Sequence, residues 1–130
     1  MVKRLKSTVI DIQNPIEDIF TVTFESDRKL KYSPGQFLHL ALDEYDPSSQ
    51  WPESRCFSMQ SPPNQNKLTI TYSVVGRFTK RMAQELKIGT DVWLKLPFGD
   101  IFDRGHKKEY CVFIAGGTGI TPLLSLFNSN

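Results

Sequence analysis

Apolar and polar residues alternate through most of the chain before residue 100. In Ile19-Phe20-Thr21-Val22-Thr23-Phe24 the residues Phe20, Val22 and Phe24 fall on one face and the threonines on the other. Leu68, Ile70, Tyr72 and Val74 alternate with Thr69, Thr71 and Ser73, and Val92, Leu94 and Leu96 with Asp91, Trp93 and Lys95. Period two is the pattern of a half-buried antiparallel strand. Three less regular stretches complete the set: the β-branched Leu5 to Ile12, closed by Asn14-Pro15; Gln36 to Leu42, after the turn Ser33-Pro34-Gly35; and Arg55 to Ser58. Proline ends a ladder because it has no N–H, and glycine serves a turn because positive φ is open to it. The few turn residues between Ser58 and Leu68 predict that these last two strands pair as a hairpin. One stretch changes period: Phe78, Met82 and Leu86 recur every four residues, which predicts a helix, with Thr79 as N-cap and Gly89 as a left-handed C-cap. Six strands, one helix and short connections predict an all-β-dominated domain whose antiparallel sheet closes into a barrel.

The pattern changes again after Lys107-Lys108-Glu109. Tyr110 to Ala115 is apolar on both faces, as in a strand buried within a parallel sheet. It runs into Gly116-Gly117-Thr118-Gly119-Ile120-Thr121-Pro122 and then Leu123-Leu124 and Leu126-Phe127. A strand, a glycine-rich turn and a helix opened by proline is an arrangement that cradles a dinucleotide pyrophosphate. The third glycine of the usual fingerprint is absent, since Pro122 stands there. The expected division is residues 1–106 as the barrel and 107–130 as the first βα unit of a truncated Rossmann-like α/β domain.

Composition narrows the function. The chain has 130 residues, 23% of them charged, 39% hydrophobic, and a net charge of +2, which describes an ordinary globular domain and gives no reason to expect nucleic acid. No apolar run reaches the roughly 20 residues that span a bilayer. Cys56 and Cys111 are far apart, without metal or iron–sulfur spacing, and read as buried free thiols of a reducing, cytoplasmic setting.

Candidate chemistry centres on Arg55-Cys56-Phe57-Ser58. In an extended strand Arg55 and Phe57 point one way, Cys56 and Ser58 the other. A guanidinium grips phosphate oxygens and an aromatic face stacks on a planar ring, so the pair suits a ligand carrying both. Alone, the motif is more often an exposed charge beside a half-buried ring. The start of the helix after Gly76, with its free N–H groups and Arg77, suits an anion. His39 reads as a partly exposed strand residue with neither carboxylate nor thiol near it in sequence, and Trp51 as a lid on the core, with a ligand platform as the alternative.

Taken in this order and at these distances, Arg55-x-Phe57-Ser58, Gly76-x-x-Thr79 and Gly116-Gly117-Thr118-Gly119-Ile120-Thr121-Pro122 resemble the ferredoxin-NADP reductase-like flavoprotein oxidoreductases. The likeness runs from about Leu5 to the end. It implies a six-stranded Greek-key barrel for FAD, or FMN, followed by a nicotinamide-nucleotide domain. By the same resemblance Arg55 holds the flavin phosphate, Phe57 packs on the isoalloxazine, and Ser58 lies near the reactive flavin nitrogen as the catalytic residue. Cys56 and the segment Thr71, Tyr72 and Ser73 line the flavin, and Gly76, Arg77, Phe78 and Thr79 seat the pyrophosphate, which favours FAD over FMN. Gly117, Thr118, Gly119 and Thr121 match the NAD(P)H loop. No metal is implied. Phe57 stands where the family more often has tyrosine, and Ser73 where it frequently has Lys or Arg.

The function implied is electron transfer from NAD(P)H through FAD to a protein or small-molecule acceptor. A nucleotide domain needs several βα units, and the chain stops after one. As a fragment it is therefore expected to bind flavin but to turn over poorly with NAD(P)H. Two other readings stand beside this: a non-catalytic flavin- or nucleotide-binding regulatory or interaction module, and an empty barrel that pairs with another subunit through Tyr110 to Phe127.

Overall fold

The computed structural model describes residues 2–99 and 120–128. Six strands form one antiparallel sheet: β1 (Lys3–Ile16), β2 (Ile19–Leu30), β3 (Phe37–Ala41), β4 (Ser54–Ser58), β5 (Gln65–Ser73) and β6 (Asp91–Phe98). Helix α1 (Arg77–Glu85) lies between β5 and β6, and α2 (Thr121–Asn128) follows. The spatial order β4-β3-β6-β1-β2-β5 is that of a Greek key.

The alternation forms the core as expected. Val22 and Phe24 of β2, Leu68 and Ile70 of β5, and Val92 and Leu94 of β6 are fully buried. Each such side chain contributes about 1.5–3 kcal/mol by leaving water. On the opposite face the threonines meet in rows: Thr21 bonds Thr71 at 2.9 Å and Thr23 bonds Thr69 at 3.0 Å. These cross-strand pairs fix the register of β2 against β5. Gly35 has φ +92°, as the Ser33-Pro34-Gly35 turn requires.

Several expectations are corrected. Strand β1 does not stop at Asn14-Pro15. It runs on to Ile16 through a register irregularity after Gln13, which gives Pro15 a place outside the regular ladder. Strand β2 likewise passes through the polar Ser26 to Lys29, since an exposed strand end tolerates charge. The N-cap of α1 is Gly76, and Thr79 is the third helical residue. Its Oγ1 reaches back to accept the N–H groups of Val75 at 2.9 Å and Gly76 at 3.0 Å, half of a capping box. At the other end the cap is Leu86, with extended backbone. Gly89 does have φ +96°, but in the following turn, where its N–H donates to the Val9 carbonyl.

The largest correction concerns closure. Strands β4 and β5 lie side by side without a shared ladder, so the sheet stays open along that seam. The predicted hairpin fails because Pro62 and Pro63 in the connection have no N–H to contribute. What spans the seam instead is one backbone bond, Gln60 N–H to the Thr69 carbonyl at 2.9 Å, and the bond from Thr69 N–H to Ser61 Oγ at 3.0 Å. The Ser61 carbonyl accepts from Tyr32 Oη and from the fully buried Ser125 Oγ, both at 2.8 Å, and thereby ties α2 to the barrel. The predicted strand 110–115, the glycine-rich turn to Gly119 and the boundary at 106/107 lie outside the described residues.

Candidate functional site

The open seam is also where the sequence candidates gather. Arg55, Cys56, Phe57 and Ser58 from β4, Thr71, Tyr72 and Ser73 from β5, and Gly76, Arg77, Phe78 and Thr79 at the start of α1 line one cleft of about 610 Å³. Among the described residues, Val75, Thr121 and Pro122 add the rest of its wall. The volume lies within the usual range for small-molecule sites, about 300–1,000 Å³. Arg55 and Thr79 therefore face the same space, as a single phosphate-tailed ligand requires. Gly117, Thr118 and Gly119 lie outside the described residues, while Thr121, at the first turn of α2, is brought to the cleft.

Strand geometry accounts for the inner surface. Phe57 sits edge-on to Tyr72, ring centroids 6.0 Å apart, and Tyr72 stacks on Phe20 at 5.5 Å. Arg55, two residues before Phe57 and on the same face, lays its guanidinium 5.0 Å from the Phe78 centroid. Its Nη1 donates to the Ser54 carbonyl at 2.9 Å. A cation held against an aromatic face at the first turn of α1 joins two elements that are distant in sequence. Gly76 contributes a gap: its backbone is extended, and a β-carbon placed there meets no atom within 4 Å.

Burial pushes the Tyr72 phenol up to about 12. The neutral form is thus favoured on folding, and stability present below the ordinary value near 10 is lost as the pH rises from there toward 12. In an alkaline titration followed by phenolate absorbance, Tyr72→Phe is expected to remove a step near pH 12. An unchanged curve would mean that Tyr72 is not the shifted group.

Three residues sit differently from the sequence reading. Cys56 is exposed on the edge strand, not buried. Register sets it opposite His39 of β3, with Sγ 3.6 Å from Nε2, so the histidine does have a thiol neighbour that sequence distance hides. Burial and the nearby Lys95 lower the His39 pKa, and burial raises that of Cys56 against the pull of Arg55. Trp51 covers no core. It packs edge-on against Tyr45 at 5.0 Å, lies 5.7 Å from Lys95 Nζ, and donates from Nε1 to Ser54 Oγ at 3.1 Å.

One residue of the site is missing from the sequence reading. Glu53, in the stretch 43–53 that reads only as an acidic loop, places Oε2 against Nη2 of both Arg55, at 3.6 Å, and Arg77. Its signal is the i, i+2 spacing to Arg55, which puts both on one side of an extended chain.

Among the described residues no cluster of His, Cys, Asp and Glu could hold a metal ion, and no helix is long and apolar enough to cross a membrane. Fold and cleft together define an open, six-stranded antiparallel domain whose seam is lined by two arginines and by aromatic rings.

Comparison with known proteins identifies the class further. No family model matches the chain. It is 30% identical over 126 residues to a probable dihydroorotate dehydrogenase B (NAD(+)) electron transfer subunit from Methanopyrus kandleri, covering 96% of this chain and 44% of that protein. It is also 30% identical over 123 residues to the reductase component of phenol 2-monooxygenase from Pseudomonas sp. (strain CF600), covering 92% and 32%. The chain thus spans less than half the length of these curated relatives. Among solved structures it superposes on a ferredoxin-NADP+ reductase from Plasmodium falciparum with TM-score 0.76 at 21% identity, covering 96% of this chain and 52% of that one. A ferredoxin NADP+ reductase from Neisseria gonorrhoeae with bound FAD and NADP gives 0.72 at 18%, covering 96% and 50%. The chain's relatives and structural neighbours are ferredoxin-NADP reductase-like FAD- and NAD-binding oxidoreductases, and residues 2–99 have the fold of their FAD-binding barrel.

Proposed function

We propose that this chain is the flavin-binding barrel, residues 1–106, and the opening βα unit, 107–130, of an NAD(P)H-dependent electron-transfer reductase, with FAD in the β4–β5 seam. The observation that carries this reading is the convergence of Arg55, Phe57, Tyr72 and the first turn of α1 on one cleft. The residues fit the cofactor. The room left beside Gly76 suits a phosphate approaching the backbone, and Arg55 and Arg77 supply its countercharge. Phe57 and Tyr72 supply apolar surface for the ring, with Thr71, Ser73 and Cys56 along its edge. Ser58, also among the lining residues, is the one we assign to the reacting edge of the ring.

Bound FAD supplies two-electron exchange with a nicotinamide and one- or two-electron exchange with an acceptor. The chain's own part is to orient the ring, neutralise the phosphates and exclude water. Thr121 and Pro122 on the cleft wall support the assignment of Gly117, Thr118, Gly119 and Thr121 to the NAD(P)H side. A protein redox partner is the acceptor we favour, because relatives include reductase components of oxygenase systems. A cytoplasmic setting belongs to the same reading, supported by the exposed free thiol of Cys56.

The test is direct. The purified chain, titrated with FAD, is expected to shift the flavin's visible spectrum and saturate at one equivalent, and the extracted pigment should have the mass of FAD. No spectral change at a large excess of FAD, with the chain folded by circular dichroism, would remove this reading.

A further inference from the structure

The two arginines of the cleft converge on a carboxylate that belongs to the protein itself. Arg55 comes from β4 and Arg77 from the first turn of α1, yet the same oxygen, Glu53 Oε2, contacts Nη2 of both. None of the described residues lining the cleft is acidic, and the carboxylate that meets both arginines comes from the preceding loop. We infer that Glu53 is an internal competitor of the flavin phosphates for Arg55 and Arg77, and that it sets how tightly the cleft holds FAD. The inference rests on the flavin reading above.

Geometry distinguishes a competitor from a support. A supporting carboxylate would be needed to hold Arg55 in place, but Arg55 is held without it, by the Ser54 carbonyl at 2.9 Å and the Phe78 ring at 5.0 Å. The Arg77 side chain is 73% exposed and that of Glu53 35%, so the bridge is reached by solvent and by an incoming ligand. With the carboxylate in place the trio carries a net charge of +1, two cations against one anion; without it, +2. A diphosphate must therefore exchange one set of charge-assisted bonds for another, and the attraction it meets is reduced by the pair interactions it displaces. For exposed pairs these are worth little each, which corresponds to a gain of about fivefold in affinity when both are removed.

The experiment is calorimetric titration of FAD, and separately of inorganic pyrophosphate, into the wild-type chain, Glu53→Gln and Glu85→Gln. The last removes the same charge from the far end of α1, where Glu85 pairs with Arg81. Glu53→Gln is expected to bind both ligands about fivefold more tightly, with Glu85→Gln unchanged. Equal or weaker binding by Glu53→Gln would show that the carboxylate supports the site and would overturn the inference. So would an equal gain in Glu85→Gln, since net charge would then suffice. A gain for pyrophosphate in a chain that binds no FAD would leave the competitor role standing and remove the flavin reading instead.

Discussion

Arg55→Ala is expected to bind FAD about a hundredfold more weakly than the wild-type chain, and to come off a purification column colourless. The magnitude follows from the loss of two charge-assisted hydrogen bonds to phosphate, about 3 kcal/mol together. The side chain is 48% exposed and outside the core, so the fold is retained: a thermal melt should move by no more than the roughly 0.5 kcal/mol typical of surface substitutions. Arg55→Lys separates charge from shape. Lysine keeps the cation but loses the planar fork and much of the stacking on Phe78, and an intermediate loss of about tenfold is expected. Fluorescence titration of FAD against the three proteins reads all of this. Wild-type affinity in Arg55→Ala would show that the phosphates are held elsewhere.

The second large effect is steric. Gly76→Val is expected to abolish measurable FAD binding while leaving the barrel intact. Gly76 has φ −165° and ψ −170°, extended backbone that valine adopts without strain. Its new β-carbon would meet no protein atom within 4 Å, because the residue borders the cleft. The branched side chain would thus fill the space that a diphosphate needs beside the first turn of α1. Valine is a poor N-cap, and about 0.5–1 kcal/mol of stability should go with the change. Thr79 still accepts the Val75 and residue 76 N–H groups, so the helix start survives. Near-native circular dichroism together with lost flavin binding is the predicted result. Retained binding would place the ligand away from α1.

Both predictions rest on parts of the site that differ in how they can be read. The Arg55-x-Phe57 pair is visible in the sequence because side-chain direction in a strand depends only on parity. The helix start is visible because a period of four follows a glycine, although the wrong residue is read as its cap: threonine is a good N-cap by type, and only the backbone shows that Gly76 takes that role while Thr79 turns back to it. Glu53 and Cys56 are a different case. Whether Glu53 faces Arg77, 24 positions away, depends on where α1 sits against β4. The His39 neighbour of Cys56 depends on the register of β3 against β4, which two short strands with mixed patterning leave open.

Local chemistry in the chain determined the six strands, the buried faces of β2, β5 and β6, the helix between β5 and β6, and the identity of most of the residues that line the cleft. These follow from rules that act over a few residues: parity, helical period, and the absence of an N–H in proline. The tertiary structure decided that the sheet stays open between β4 and β5, that this gap is the cleft, and that an acid from a loop stands between its two arginines. Such features arise from how separate elements pack and from which backbone groups are left for one another, and no stretch of sequence contains both halves of any of them.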